Sequence, residues 1–302
     1  MKIADKLLSK YPLLSIIIVS FVAGWGVWSM NRYASKKDNL IIDGVCILGA
    51  ILLYIWLLHY AEKGTNQDRV FRPLVIKTKY KVLAFPLLIY IYRVFGLIFS
   101  YGKSDNQTQL DKCIKQENWL SNSISHAVFP AVTEEIIFRG VIFVISMIAT
   151  LIIIKHLHSI KTKSIALISC LFVFTVVTSL FFGVMHIWAG GFKDYVNMWG
   201  YVSSGVVLAI VFVITRDIKL TMLLHFTENL YVTLRIMGGE AKFVSELMFV
   251  IWSVVFAIMI IGVIILAITC KFNSRLSDNV NDSVNSIAKS MNDDWKHFVE
   301  NK

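Results

Sequence analysis

Three short runs carry ionisable and hydrogen-bonding side chains into sequence that is otherwise apolar. The first is Glu134-Glu135-Ile136-Ile137-Phe138-Arg139-Gly140, preceded by Pro130. A helix advances about 100° per residue. Glu135 and Arg139 are therefore neighbours one turn apart, with the acid on the amino-terminal side, the better order for a helix ion pair. Glu134 points about 100° away and has no such partner. The spacing predicts that Glu135 and Arg139 neutralise each other and brace the helix, while Glu134 faces a cavity as a general base. The second run, Ser179 to His186, puts Phe182 and His186 on one face, with Gly183 allowing a neighbouring helix close. The third, His225-Phe226-Thr227-Glu228-Asn229, puts His225 and Asn229 on one face, aimed the same way.

Taken singly, the second and third runs read as structure: an interfacial histidine, and an asparagine–histidine helix contact. Depth brings the three together. Glu134 lies in the first half of one apolar stretch, His186 near the end of the antiparallel next one, and Asn229 in the second half of a stretch parallel to that. All three then sit toward one side of a membrane. A carboxylate, an imidazole and a His/Asn donor pair in one wet pocket suffice to hydrolyse an amide. Glu134 with His186 would position and deprotonate a water, His225 and Asn229 would donate to the developing oxyanion, and His186 or Glu134 would return a proton to the leaving amine.

The elements that must hold these groups follow from composition. The chain has 302 residues, 56% hydrophobic and 17% charged, with mean hydropathy +0.65. Soluble domains are about 25% charged, so an ordinary water-soluble globule is excluded, as is a disordered chain. Apolar runs of about twenty residues, each long enough to cross a hydrocarbon core, predict an all-α polytopic bundle of about eight spans. They fall near 12–30, 40–60, 82–100, 124–154, 164–188, 198–215, 219–237 and 246–270. The fourth is longer than a bilayer needs, and Pro130 and Gly140 are the places where it should bend. We divide the chain into amino-terminal helices (1–118), a catalytic helical core with the three motifs (119–237), a last transmembrane helix (238–270) and a polar tail (271–302). In the tail Leu276, Val280, Val284, Ile287, Met291, Trp295 and Phe298 recur every three or four residues, the pattern of an amphipathic helix lying on a surface.

The net charge of +10 reflects Lys and Arg in the connections, where they set topology and meet lipid headgroups, rather than a nucleic-acid face. Roughly twice as many fall on the side of the amino terminus as on the other, which puts both termini in the cytoplasm, with the plasma membrane as the expected location. Cys46, Cys113, Cys170 and Cys270 show no metal or disulfide spacing. Asp43 and Arg93, both inside spans, are expected to be structural, snorkelling or pairing with each other.

Glu134-Glu135-x-x-x-Arg139, Phe182-x-x-x-His186 and His225-x-x-x-Asn229, in this order on separate spans, resemble the CAAX protease and bacteriocin-processing family of intramembrane glutamic endopeptidases, which includes the Ras-converting CAAX endopeptidases. The similarity covers about residues 120–235. It implies an eight-span fold, metal-independent proteolysis without a cofactor, and Glu134, His186, His225 and Asn229 as the functional set. By the same likeness the substrate is a membrane-proximal peptide, such as a bacteriocin or pheromone precursor, or a prenylated tail. Glu228, between His225 and Asn229, is unusual for the motif; it either pairs with Arg235 or perturbs His225. Three readings compete. One Glu and two His are potential zinc ligands, although the chain has no H-E-x-x-H and no His pair at i,i+4. A non-enzymatic immunity or signalling scaffold would be expected to have lost a catalytic residue. A transporter would be expected to carry inverted repeats.

Overall fold

The computed structural model describes residues 40–65, 78–100, 104–115, 118–187 and 192–272, with isolated positions between and after them. The span expected at 12–30 and nearly all of the 271–302 tail lie outside the described residues. What is described is helical: α1 (Leu40–Thr65), α2 (Thr78–Ile98), α3 (Asp105–Ile114), α4 (Trp119–Lys155), α5 (Ile160–Ile187), α6 (Met198–Thr215), α7 (Ile218–Met237) and α8 (Gly239–Phe272).

The expected all-α membrane bundle is present, but the count of about eight spans is not reproduced. Among the described residues, five helices are long and apolar enough to cross a membrane: α2, α4, α5, α6 with the turn before it, and α8. The apolar part of α1, Gly44–His59, is shorter. Helix α7 carries His225, Glu228, Asn229 and Arg235, and it packs against α2, α4, α6 and α8. His225, Glu228 and Asn229 thus lie among other helices, which is how a membrane protein accommodates such groups, while Arg235 is exposed in the last turn. Helix α3, a mostly polar helix of ten residues capped by the Ser104 hydroxyl, was not anticipated; it occupies the connection between α2 and α4.

Helix α4 departs from regular α geometry at the two places where the sequence predicts a bend. Ser123–Val128, just before Pro130, and Ile136–Val141, around Gly140, are π-helical turns. The Phe129 N–H accordingly reaches back to the Ile124 carbonyl and the Ile142 N–H to that of Ile137, five residues each. Such turns widen the helix locally and are frequent at functional sites. Glu134 and Glu135 end the short α stretch between them.

Two apolar cores hold the helices in register. One joins α1, α4, α5 and α6 through Leu57, Met147, Leu151, Leu167, Phe174 and Phe212; in it Phe143 packs edge-on to Phe174 and Phe212, with ring centroids 5.4 and 5.0 Å apart. The other joins α2, α6 and α7 through Ile89, Tyr92, Leu208, Val211, Leu220 and Leu224. Helices α5 and α6 meet most closely where each has a glycine. A Cβ on Gly183 would lie 2.4 Å from the Val202 side chain and 3.2 Å from the Met198 carbonyl oxygen, and one on Gly205 would lie 3.0 Å from the Ser179 Cα. The close approach expected of Gly183 is therefore built, with Gly205 as its counterpart on α6.

Candidate active site

The core of the site is an ion pair with a third member. Glu135 and Arg139 are both fully buried on α4, and the Arg139 Nη1 donates to Glu135 Oε1 at 2.8 Å. The second guanidinium arm donates to the Gly205 carbonyl at 3.0 Å. That bond explains why α6 must come so close: a residue larger than glycine would hold the carbonyl away. Burying an ion pair is expensive unless its remaining hydrogen-bonding positions are used. Here Glu135 Oε1 also meets His225 Nδ1 from α7, at 2.9 Å. Below the guanidinium lies the Phe182 ring, its centroid 4.9 Å from the Arg139 Cζ.

These contacts set the tautomers of both histidines. Glu135 bonded to Arg139 is a carboxylate, which only accepts, so His225 donates from Nδ1. His186 Nδ1 lies 2.8 Å from the Phe182 carbonyl, one turn back on α5; a carbonyl also only accepts, so His186 donates from Nδ1 as well. Each ring is left with its Nε2 lone pair free to point inward. Both point at the same atom: His186 Nε2 and His225 Nε2 are each 3.9 Å from Glu134 Oε2. That oxygen is buried and has no hydrogen-bond partner among the described residues. The Glu134 side chain is 15% exposed and that of His186 24%, against 3% for His225, so the site opens on the His186 side.

The sequence-predicted residues thus fall into two sets. Glu134, His186 and His225 converge, with Glu135, Arg139 and Phe182 behind them as support. Asn229 is half-buried on α7 one turn from His225, and among the described residues it makes no side-chain hydrogen bond. One pairing was not anticipated: Arg93 on α2 binds Glu228 on α7, and its guanidinium also lies over the Tyr231 ring, 4.6 Å from the centroid. The side chain of Asp43, its other expected partner, lies outside the described residues. Among the described residues Glu228 pairs with Arg93 rather than with Arg235. The cause is that α2 packs directly on α7 in the second core, so the opposite charges on these helices meet there. Sequence reasoning also missed Tyr201 of α6, whose ring stacks on that of His186 with centroids 4.4 Å apart and planes 21° apart.

No group of three or more His, Cys, Asp and Glu among the described residues is arranged to hold a metal ion. The three inward-facing atoms are all acceptors, and 3.9 Å is too long for Glu134 to share a proton directly with either imidazole. A hydrogen-bond donor with two protons, such as water, complements them.

The fold and site define a polytopic helical membrane protein with a buried carboxylate–imidazole centre shared by three helices. Residues 116–231 match the family model described as type II CAAX prenyl endopeptidase Rce1-like, a match that supports the resemblance of the three motifs to the CAAX protease and bacteriocin-processing family. The match spans α4 to α7 and contains all three motifs. No curated protein and no solved structure matches the chain. The resemblance in the motifs and the family match agree on a membrane-embedded protease.

Proposed function

We propose that the protein is an intramembrane glutamic endopeptidase, independent of metal, in which Glu134 activates the attacking water. The observation that carries the reading is the buried Glu134 Oε2 facing two imidazole Nε2 atoms at equal distance, each ring fixed by a bond at its other nitrogen. A water held by these acceptors gives one proton to Glu134, and its oxygen attacks the scissile carbonyl carbon. The carbonyl oxygen becomes an oxyanion, and donors already in place at such an atom lower the barrier by a few kcal/mol each, on the order of 3. Asn229 supplies an amide N–H. His225 supplies a second donor only when it carries both ring protons, and the Glu135 carboxylate at its Nδ1 is the counter-charge that such an imidazolium needs. Collapse of the tetrahedral species breaks the C–N bond, and the proton held by Glu134, passed directly or through His186, leaves on the amine.

The substrate is a membrane-proximal or lipidated peptide. With both termini in the cytoplasm, the Glu134 end of α4 faces the exterior, which favours an exported peptide precursor over a cytosolic prenylated tail. A cysteine at the exposed position Gln109 of α3, in a variant lacking Cys113, reports this orientation. An impermeant thiol reagent should label it on intact cells; labelling only after permeabilisation reverses the assignment.

The deciding experiment is cleavage of a quenched peptide library, with prenylated and unprenylated carboxy termini, by detergent-purified protein. Wild type and Glu134→Gln are compared, each with and without a strong zinc chelator. Cleavage that disappears in Glu134→Gln and ignores the chelator is the expected result. Loss on chelation transfers the same three atoms to a metal site. A Glu134→Gln protein of full activity overturns the mechanism.

A further inference from the structure

We infer that Tyr201 is a positioning residue for His186, and that it ties the histidine to the extramembrane helix α3. This rests on the reading of His186 as part of the reaction centre. Of the two histidines facing Glu134, His225 is held by a carboxylate that is itself bonded to Arg139, and it is almost fully buried. His186 is the more open of the two, and among the described residues a single carbonyl, that of Phe182, bonds its ring. A ring with one hydrogen bond can still swing about χ2, a broad torsion for an imidazole. Here that swing is hindered by two rings: that of Phe182, tilted 43° with its centroid 4.5 Å away, and that of Tyr201, stacked on the imidazole at 4.4 Å.

Tyr201 is in turn anchored at its far end. Its hydroxyl donates to the Gln107 Oε1 at 3.2 Å and lies 3.5 Å from the Ser104 Oγ. The Gln107 amide is oriented by its own bond from Nε2 to Asp111 Oδ1, 2.7 Å, and Ser104 is the fully buried amino-terminal cap of α3, accepting from the Gln107 N–H at 3.1 Å. A chain of oriented groups thus runs from a polar helix outside the apolar spans, through the phenol, to the face of His186. The consequence is that the orientation of α3 is transmitted to the imidazole: a shift of α3 that breaks the Gln107–Tyr201 bond frees the phenol, and with it the histidine.

The test pairs a spectroscopic readout with turnover, using the full chain in detergent. The 15N resonances of His186, assigned by comparison with His186→Gln, report which ring nitrogen carries the proton. Wild type should show the Nδ1–H form; Tyr201→Leu should show a mixture of tautomers, and kcat should fall about tenfold with KM changed less than about twofold. Tyr201→Phe keeps the stack and removes only the anchor, so a loss of about threefold is expected, with Gln107→Ala giving the same loss and the double variant no more, because the two groups act through one bond. A Tyr201→Leu protein with the wild-type tautomer and wild-type kcat overturns the proposal. If Tyr201→Leu does not fold, the Tyr201→Phe and Gln107→Ala pair decides, and losses that multiply in the double variant overturn it. The imidazole readout needs no turnover. A wild-type protein that cleaves no peptide therefore counts against the proteolytic reading, while the tautomer of His186 in the variants still decides the role of Tyr201.

Discussion

Helices α4 and α8 have nearly the same apolar character and opposite situations. Each is longer than a bilayer requires, at 37 and 31 residues of apolar helix. In its most apolar stretch α4 is 61% buried inside the fold and α8 0%. The buried helix carries two carboxylates and a guanidinium and breaks α geometry twice to aim them. The lipid-facing helix carries no charged residue between Glu246 and Lys271. It attaches to the rest through aromatic contacts, Tyr90 with Phe256 and Tyr231 with Phe249 and Trp252. Apolarity alone therefore says that a segment is in the membrane, and not whether it faces lipid or protein. What separates the two is the polar cargo, because an ionised group tolerates the membrane interior only among partners.

The contrast predicts a gradient of mutational effects. The largest belongs to Glu134, where replacement by Gln should lower peptide cleavage by about 10³-fold or more, with the helical circular dichroism of the purified protein unchanged. Next is Arg139→Ala. It leaves Glu135 buried without its partner, a loss of about 3–5 kcal/mol, and should appear as a fall in folded yield on size-exclusion chromatography. Normal yield with altered kinetics alone would move Arg139 from the scaffold into the reaction. Asn229→Ala should cost about 10²-fold in kcat with little change in KM, as for a contact made in the transition state; a pure rise in KM makes it a substrate-binding group instead. The smallest effect belongs to α8. Ile261, 56% exposed, should accept valine with stability unchanged within about 0.5 kcal/mol in thermal denaturation and with full activity. A large loss there would end the contrast between the two helices.

Residues on one helix were legible from spacing alone. The Glu135–Arg139 pair, the shared face of Phe182 and His186, and the separate direction of Glu134 follow from a period of 3.6, and the structure has all three. The convergence of Glu134, His186 and His225 was legible one step further, from depth in antiparallel spans. Contacts between helices remote in sequence were harder. Arg93 and Glu228 are oppositely charged residues inside spans, but the pairing depends on α2 lying against α7, which no periodicity encodes. Tyr201 gave no signal because an aromatic on an apolar helix reads as core. The count of spans is not confirmed among the described residues for another reason: α7 is too polar for lipid, and its place is legible only once its neighbours are known.

The Arg93–Glu228 pair bears on how the chain enters the bilayer during synthesis. A helix with the composition of α7 gains little by leaving the protein-conducting channel alone, since a charged residue at the helix centre, where Glu228 lies, costs about 2.5–3.5 kcal/mol on insertion scales. Helix α2 is made more than a hundred residues earlier and brings Arg93 with it, so α7 emerges to a counter-ion that is already waiting. Lateral release of α7 is then a docking event onto α2 rather than a partition into lipid, and the order of the helices along the chain sets the order of assembly.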